Sequence, residues 1–138
     1  MKKLLCFLLV VLGCSAADGE DVGSLSQELN TCLLTVTNPV RSGNTYTWSV
    51  KNIGPGCPAG YAARTELYKF CASCSVKKQL LFAQQPLILG PNETRGFSAA
   101  APASCWRNME HIVADASWVP SGSATRKHAS PSGYAACP

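Results

Sequence analysis

Cysteines, histidines and acids carry most of the chemistry open to this chain of 138 residues, which has eight cysteines, two histidines and eight acidic side chains. Six cysteines, Cys32, Cys57, Cys71, Cys74, Cys105 and Cys137, follow an apolar N-terminus. Cys71-Ala72-Ser73-Cys74 has the spacing of a redox dithiol. A reactive thiol, however, needs a helix start or a nearby cation to lower its pKa, and strand-like residues flank this pair. A zinc site needs further thiolate or imidazole ligands, and no second Cys-x-x-Cys or His-x-His run accompanies the first. The six therefore read as disulfides of an exported domain, in a pairing the sequence leaves open.

Hydrolytic catalysis needs a nucleophile, a histidine and an acid within hydrogen-bonding reach. Glu110-His111 opens a late strand that also holds Asp115. Alternation puts His111 and Asp115 on one face but two residue pairs apart, so no bond between them is implied. His128 stands beside Arg126 and Lys127 in a polar tail and reads as solvated. Glu66, Glu93, Glu110 and Asp115 form no recognisable glycosidase pair. Gly-x-Ser-x-Gly, His-Glu-x-x-His and phosphate-binding glycine loops do not occur. The expectation is a non-enzymatic protein with no catalytic residue, metal or cofactor.

The elements that must hold these side chains begin after an export signal. Lys2-Lys3, an apolar run from Leu4 to Leu12 and small residues through Ala17 match a secretory signal peptide over residues 1–17. The run is too short to span a bilayer, which takes about 20 apolar residues, so no transmembrane segment is expected. Val11-Leu12-Gly13-Cys14 resembles a bacterial lipobox, and the alternative is a surface lipoprotein anchored through Cys14. Residues 18–31 form an acidic leader with Asp18, Glu20, Asp21 and Glu28, and residues 32–138 a single domain, rich in Ser, Pro and Gly from 120. From Cys32 onward ten basic residues face four acidic ones. That excess suits anionic matrix or cell-surface polymers, while nucleic acid is not expected as a partner for an exported chain without a binding motif. A monomer is expected.

Short strands separated by turn signals predict an all-β, disulfide-stabilised antiparallel β-sandwich. Cys32 to Thr37 is the first expected strand, ending at Asn38-Pro39, and Ser42-Gly43-Asn44 is a turn. Tyr46, Trp48 and Val50 then alternate with Thr45, Thr47, Ser49 and Lys51, the mark of a strand with one buried face. Asn52 to Gly60 reads as a loop pinned by Cys57. Tyr61 to Cys71, Val76 to Ala83 and Thr94 to Ala99 read as strands, the last after a Gly90-Pro91-Asn92 turn. Ile112 to Val119 is expected to be half-buried, and Cys137 to tie down the tail.

Flat aromatic rings are a common means of holding sugars or proteins. Trp48 and Trp118 sit on alternating apolar faces and read as core. Trp106, in the polar run Cys105-Trp106-Arg107-Asn108, is the aromatic expected to be exposed. Trp106, Tyr46 and Arg107 are the candidate ligand-binding residues, and the Asn92-Glu93-Thr94 sequon makes Asn92 a candidate glycosylation site.

The stretch from Ser42 through Tyr46, Trp48, Val50 and Asn52 to Gly54, followed by Leu89-Gly90-Pro91-Asn92-Glu93-Thr94-Arg95-Gly96-Phe97, resembles fibronectin-type-III-like sandwich modules. Among them it is similar to the carbohydrate-binding modules of plant and slime-mould cellulases. A cysteine before the first strand, the Tyr46-x-x-x-Val50-x-Asn52 strand, Cys57 soon after and Cys137 near the end also resemble the tapetum determinant family, six-cysteine secreted ligands of plant receptor kinases. The first resemblance implies a sandwich of the fibronectin-III or immunoglobulin-like type, in a secreted module that binds extracellular carbohydrate or cell-wall material. The second implies a secreted ligand or host-interaction factor that binds a cell-surface protein.

Overall fold

The computed structural model describes residues 32–104, 110–129, 131 and 133–137. Among the described residues nine strands form two antiparallel sheets. In the first, β3 (Thr45–Asn52) is central, with β1 (Leu34–Val36) and β2 (Val40–Ser42) along one side and β6 (Thr94–Ala100) along the other. The second runs β5 (Lys78–Gln84), β4 (Arg64–Phe70), β7 (His111–Trp118) and β8 (Lys127–His128), with β9 (Ala135–Ala136) also on β7. Contacts of β1 with β7 and of β5 with β6 close the two sheets into a sandwich. The expected all-β, disulfide-stabilised sandwich is the fold observed.

Alternation explains the packing. Tyr46, Trp48 and Val50 all turn inward from β3, and the Trp48 ring meets Phe82 edge-on at 5.3 Å and stacks on Phe97 at 5.7 Å. Leu67, Ile112, Ala114, Ala116 and Trp118 complete the core from the facing sheet. The Trp48 indole N–H donates to Thr65 Oγ1 at 3.0 Å, and the Thr65 hydroxyl donates to the Asp115 carbonyl at 2.9 Å, so the polar edge of the ring is satisfied in the interior. Trp118 Nε1 is buried with no acceptor among the described residues.

One end of the sandwich is stitched by covalent and hydrogen bonds. Cys32–Cys57 ties the start of β1 to the loop after β3, and Cys57 and Leu89 exchange backbone hydrogen bonds of 2.7 and 3.2 Å. Fully buried Asn52 accepts from the Leu33 and Gly54 amides and donates to the Gly54 and Gly90 carbonyls. At the far end of β4, Cys71–Cys74 closes a short turn into β5. Gly43 takes a φ of +59° in the two-residue turn joining β2 to β3, a conformation that glycine adopts without steric cost.

Two expectations change. The strand at His111–Trp118 is not half-buried: every residue from Ala114 to Trp118 is buried, Asp115 and Ser117 included. The tail causes this, because β8 and β9 both pair with β7 and charged side chains fold over its outer face. Tyr46 is also no surface residue. It is 0% exposed, its hydroxyl donates to the Ala136 carbonyl at 2.8 Å, and burial raises its pKa against the opposing pull of Arg41. Its inward phase on β3 turns its ring into the core.

Candidate functional site

The outer face of the second sheet gathers the most chemistry. On β4 the alternation that turns Thr65 and Leu67 inward leaves Arg64, Glu66 and Tyr68 outward, and on β7 it leaves His111, Val113, Asp115 and Ser117 outward. Antiparallel register then sets Glu66 directly opposite Asp115, Arg64 opposite Ser117, and Ser117 opposite His128. Two carboxylates face to face repel, and the surrounding basic side chains answer that repulsion. Lys78 Nζ lies 2.9 Å from Glu66 Oε2, Arg64 Nε 3.4 Å from Glu66 Oε1, and His128 Nδ1 2.8 Å from Asp115 Oδ2.

The acids form the floor of this face and the basic side chains its surface. Glu66 and Asp115 are only 8% and 5% exposed, whereas the His128 side chain is 51% exposed and that of Lys78 48%. Burial pushes the Glu66 carboxyl up, but the Lys78 hydrogen bond and the charges of Lys78, Arg64 and His128 outweigh it and hold the group below the usual carboxylate range. Burial and the charges of Asp115 and Glu66 raise the pKa of the Tyr68 phenol, which stays protonated. The Lys78 ammonium also sits 4.2 Å from the centre of the Tyr68 ring, a cation–π contact.

Ser117 Oγ is the meeting point of two guanidinium groups, accepting from Arg64 Nε at 3.3 Å and Arg126 Nη1 at 3.2 Å. Arg126 Nη1 also donates to the Ala62 carbonyl at 3.0 Å. Asp115, His128 and Ser117 have the residue types of a hydrolytic triad, but the hydroxyl is buried at 2% exposure and occupied by two cations. Such a hydroxyl is a structural acceptor, not an exposed nucleophile.

A second feature lies where β4 and β5 meet their connecting turn. A cleft of about 380 Å³ is lined by Lys69, Cys71, Cys74, Val76, Gln79 and Glu110 among others. Lys69 Nζ and Glu110 Oε1 pair at 3.1 Å with both side chains largely buried, and Lys69 also reaches the Ser104 carbonyl. Cys71 and Cys74 are bonded to each other in this turn, with no helix beginning at either. Cys137 is disulfide-bonded too. Cys105, Trp106 and Arg107 lie outside the described residues, as do residues 1–17, 18–31 and Cys14.

No family model matches the chain, and no curated protein matches it. Among solved structures it is similar to β-glucosidase 3B from Thermotoga neapolitana in complex with α-D-glucose, at a TM-score of 0.37 and 12% identity. That match covers 76% of this chain and 16% of the other. Among the described residues no helix is long and apolar enough to cross a membrane.

Asn92 sits exposed in the turn before β6 with a φ of +56°, in the left-handed region asparagine tolerates. Of the residues singled out from sequence, the structure gathers Glu66 and Asp115 on one face with Arg126 and His128, and leaves Tyr46 in the core. The Asp115–His128 bond was missed because it depends on how a two-residue strand registers on β7. No periodic signal marks a strand that short.

Proposed function

We propose that the protein is an exported, non-enzymatic binding module for extracellular carbohydrate, acting through the outer face of the second sheet. The observation that carries this reading is the layered polar surface. Arg64, Tyr68, Lys78, Arg126 and His128 are held by hydrogen bonds and ion pairs above the buried acids. Polar groups fixed before the ligand arrives lose little side-chain freedom on binding, and a hydroxyl-rich polymer can exchange water hydrogen bonds for theirs. Trp106 and Arg107 remain the proposed stacking and polar partners for the ligand, and Asn92 the proposed glycan site. Disulfides indicate an oxidising environment, which fits export.

Affinity electrophoresis against a panel of plant and microbial polysaccharides tests the reading. Retention by at least one polymer is expected, with a loss of tenfold or more in a Tyr68→Ala, Lys78→Ala double variant that keeps its thermal unfolding cooperativity. Equal retention of that variant would remove sugar binding from this face, and equal retention of Trp106→Ala would remove ring stacking by Trp106. A second reading, a protein ligand for a cell-surface receptor, is favoured by a different observation. Val76 and Leu80, at the turn into β5 and along its edge, are 71% and 52% exposed, and β5 pairs on one side only among the described residues. An exposed edge of this kind can accept another strand. Loss of cell-surface binding in Leu80→Lys with polysaccharide retention intact would select that reading.

A further inference from the structure

We propose that Arg64 and Arg126, anchored together on Ser117, form an oxyanion subsite that takes the carboxylate or sulfate group of an acidic extracellular polysaccharide. The inference rests on the binding-face reading and names the chemistry of its ligand.

Three observations converge. First, both guanidinium groups are fixed in place, with Arg64 Nε and Arg126 Nη1 within 3.3 Å of the same buried hydroxyl oxygen and Arg126 braced by the Ala62 carbonyl. Second, their remaining donors have no partner among the described residues: Arg64 makes its contacts there through Nε, leaving both terminal nitrogens, and Arg126 through Nη1, leaving Nε and Nη2. Third, the acids below are already engaged, Glu66 by Lys78 and Arg64 and Asp115 by His128, and Arg126 pairs with no carboxylate among the described residues. The result is a pair of permanently charged, planar forks with unused N–H groups, and the Arg64 side chain is 33% exposed. That geometry suits a planar or tetrahedral oxyanion, which a guanidinium binds through two parallel hydrogen bonds. A neutral sugar hydroxyl offers no such paired acceptor.

The test uses the full exported chain labelled with nitrogen-15. Sodium glucuronate and sodium sulfate are titrated separately against sodium chloride and glucose controls of matched ionic strength. Saturable shifts confined to the Arg64 and Arg126 Nε–H signals and the Ser117 and His128 amides are expected with either or both oxyanions. The stronger of the two distinguishes a uronate from a sulfate ester as the natural group. Arg126→Gln should weaken binding at least tenfold. Arg126→Lys, which keeps the charge and loses the fork, should weaken it several-fold, and thermal unfolding of both variants checks that the fold is intact.

Shifts that rise linearly and appear equally at Lys77 and Arg41, or an Arg126→Gln titration matching wild type, would overturn the subsite. Glucose shifts equal to those with glucuronate would do the same. Retention on a neutral glucan that is unaffected by Arg126→Gln would sink the subsite and leave the binding face standing. Saturable oxyanion shifts without retention by any polysaccharide would support the subsite and remove the carbohydrate reading.

Discussion

The two sheets share one core but present opposite outer faces. The first shows hydroxyls: Thr37 and Ser49 bond to each other, and Thr47 reaches the Val40 carbonyl across the β2–β3 turn. The second shows a floor of acids roofed by cations. The hydroxyl face needs no partner to be stable, since each of its groups is solvated or bonded at short range. The charged face places Glu66 opposite Asp115, a pairing that costs free energy unless neighbours answer it. Lys78 and Arg64 answer it, so the charged face is held by its own ion pairs and the hydroxyl face by short hydrogen bonds.

Breaking the shared core should affect both faces alike and have the largest effect. Trp48→Ala removes the ring between Phe82 and Phe97 and the donor to Thr65. Chemical denaturation should show a loss of about 3 to 5 kcal/mol, and a loss below about 1 kcal/mol would mean the sheets do not depend on that ring. Asn52→Ala comes next, through the first sheet alone, with about 2 to 3 kcal/mol lost because several buried backbone groups lose their partner. Its oxyanion titration should match wild type, since Asn52 lies in the other sheet.

Acid unfolding sharpens the contrast on the charged side. Glu66 titrates lower folded than unfolded, so its contribution is whole above the unfolded carboxylate range and is lost as pH falls through the lowered folded value. Glu66→Gln should cost about 1 to 2 kcal/mol at neutral pH and flatten the acid limb of a stability-against-pH curve. Part of that limb persists, because the Gly90 amide and Arg95 also hold Glu93 low. An acid limb as steep as wild type would remove Glu66 from the network. Thr47→Ala, on the hydroxyl face, should change stability by less than about 0.5 kcal/mol and leave polysaccharide retention and oxyanion shifts unchanged; a change in either would move the binding face to the first sheet.

The sandwich was legible where the pattern ran long enough to have a period. β3 alternates over eight residues, and its inward phase at Tyr46, Trp48 and Val50 can be read without coordinates. That same phase argued against Tyr46 as a ligand residue, and the structure decides for the core. β2, β8 and β9 have three, two and two residues, too few to alternate, and Pro39 ahead of β2 reads as a stop. The candidate site was hidden for the same reason. His128, Arg126 and Ser117 come together only once the tail lies antiparallel on β7, and residue spacing alone cannot supply that register.

The bond between the Tyr46 hydroxyl and the Ala136 carbonyl joins residues 90 positions apart. During synthesis Tyr46 leaves the ribosome long before its acceptor exists, and until then its buried oxygen has no strand to bond. The inward face of the first sheet is therefore complete only when the tail lies on β7. Cys137, one residue beyond that acceptor, adds a disulfide to the same stretch of tail, so a covalent tie and a buried hydrogen bond hold it together.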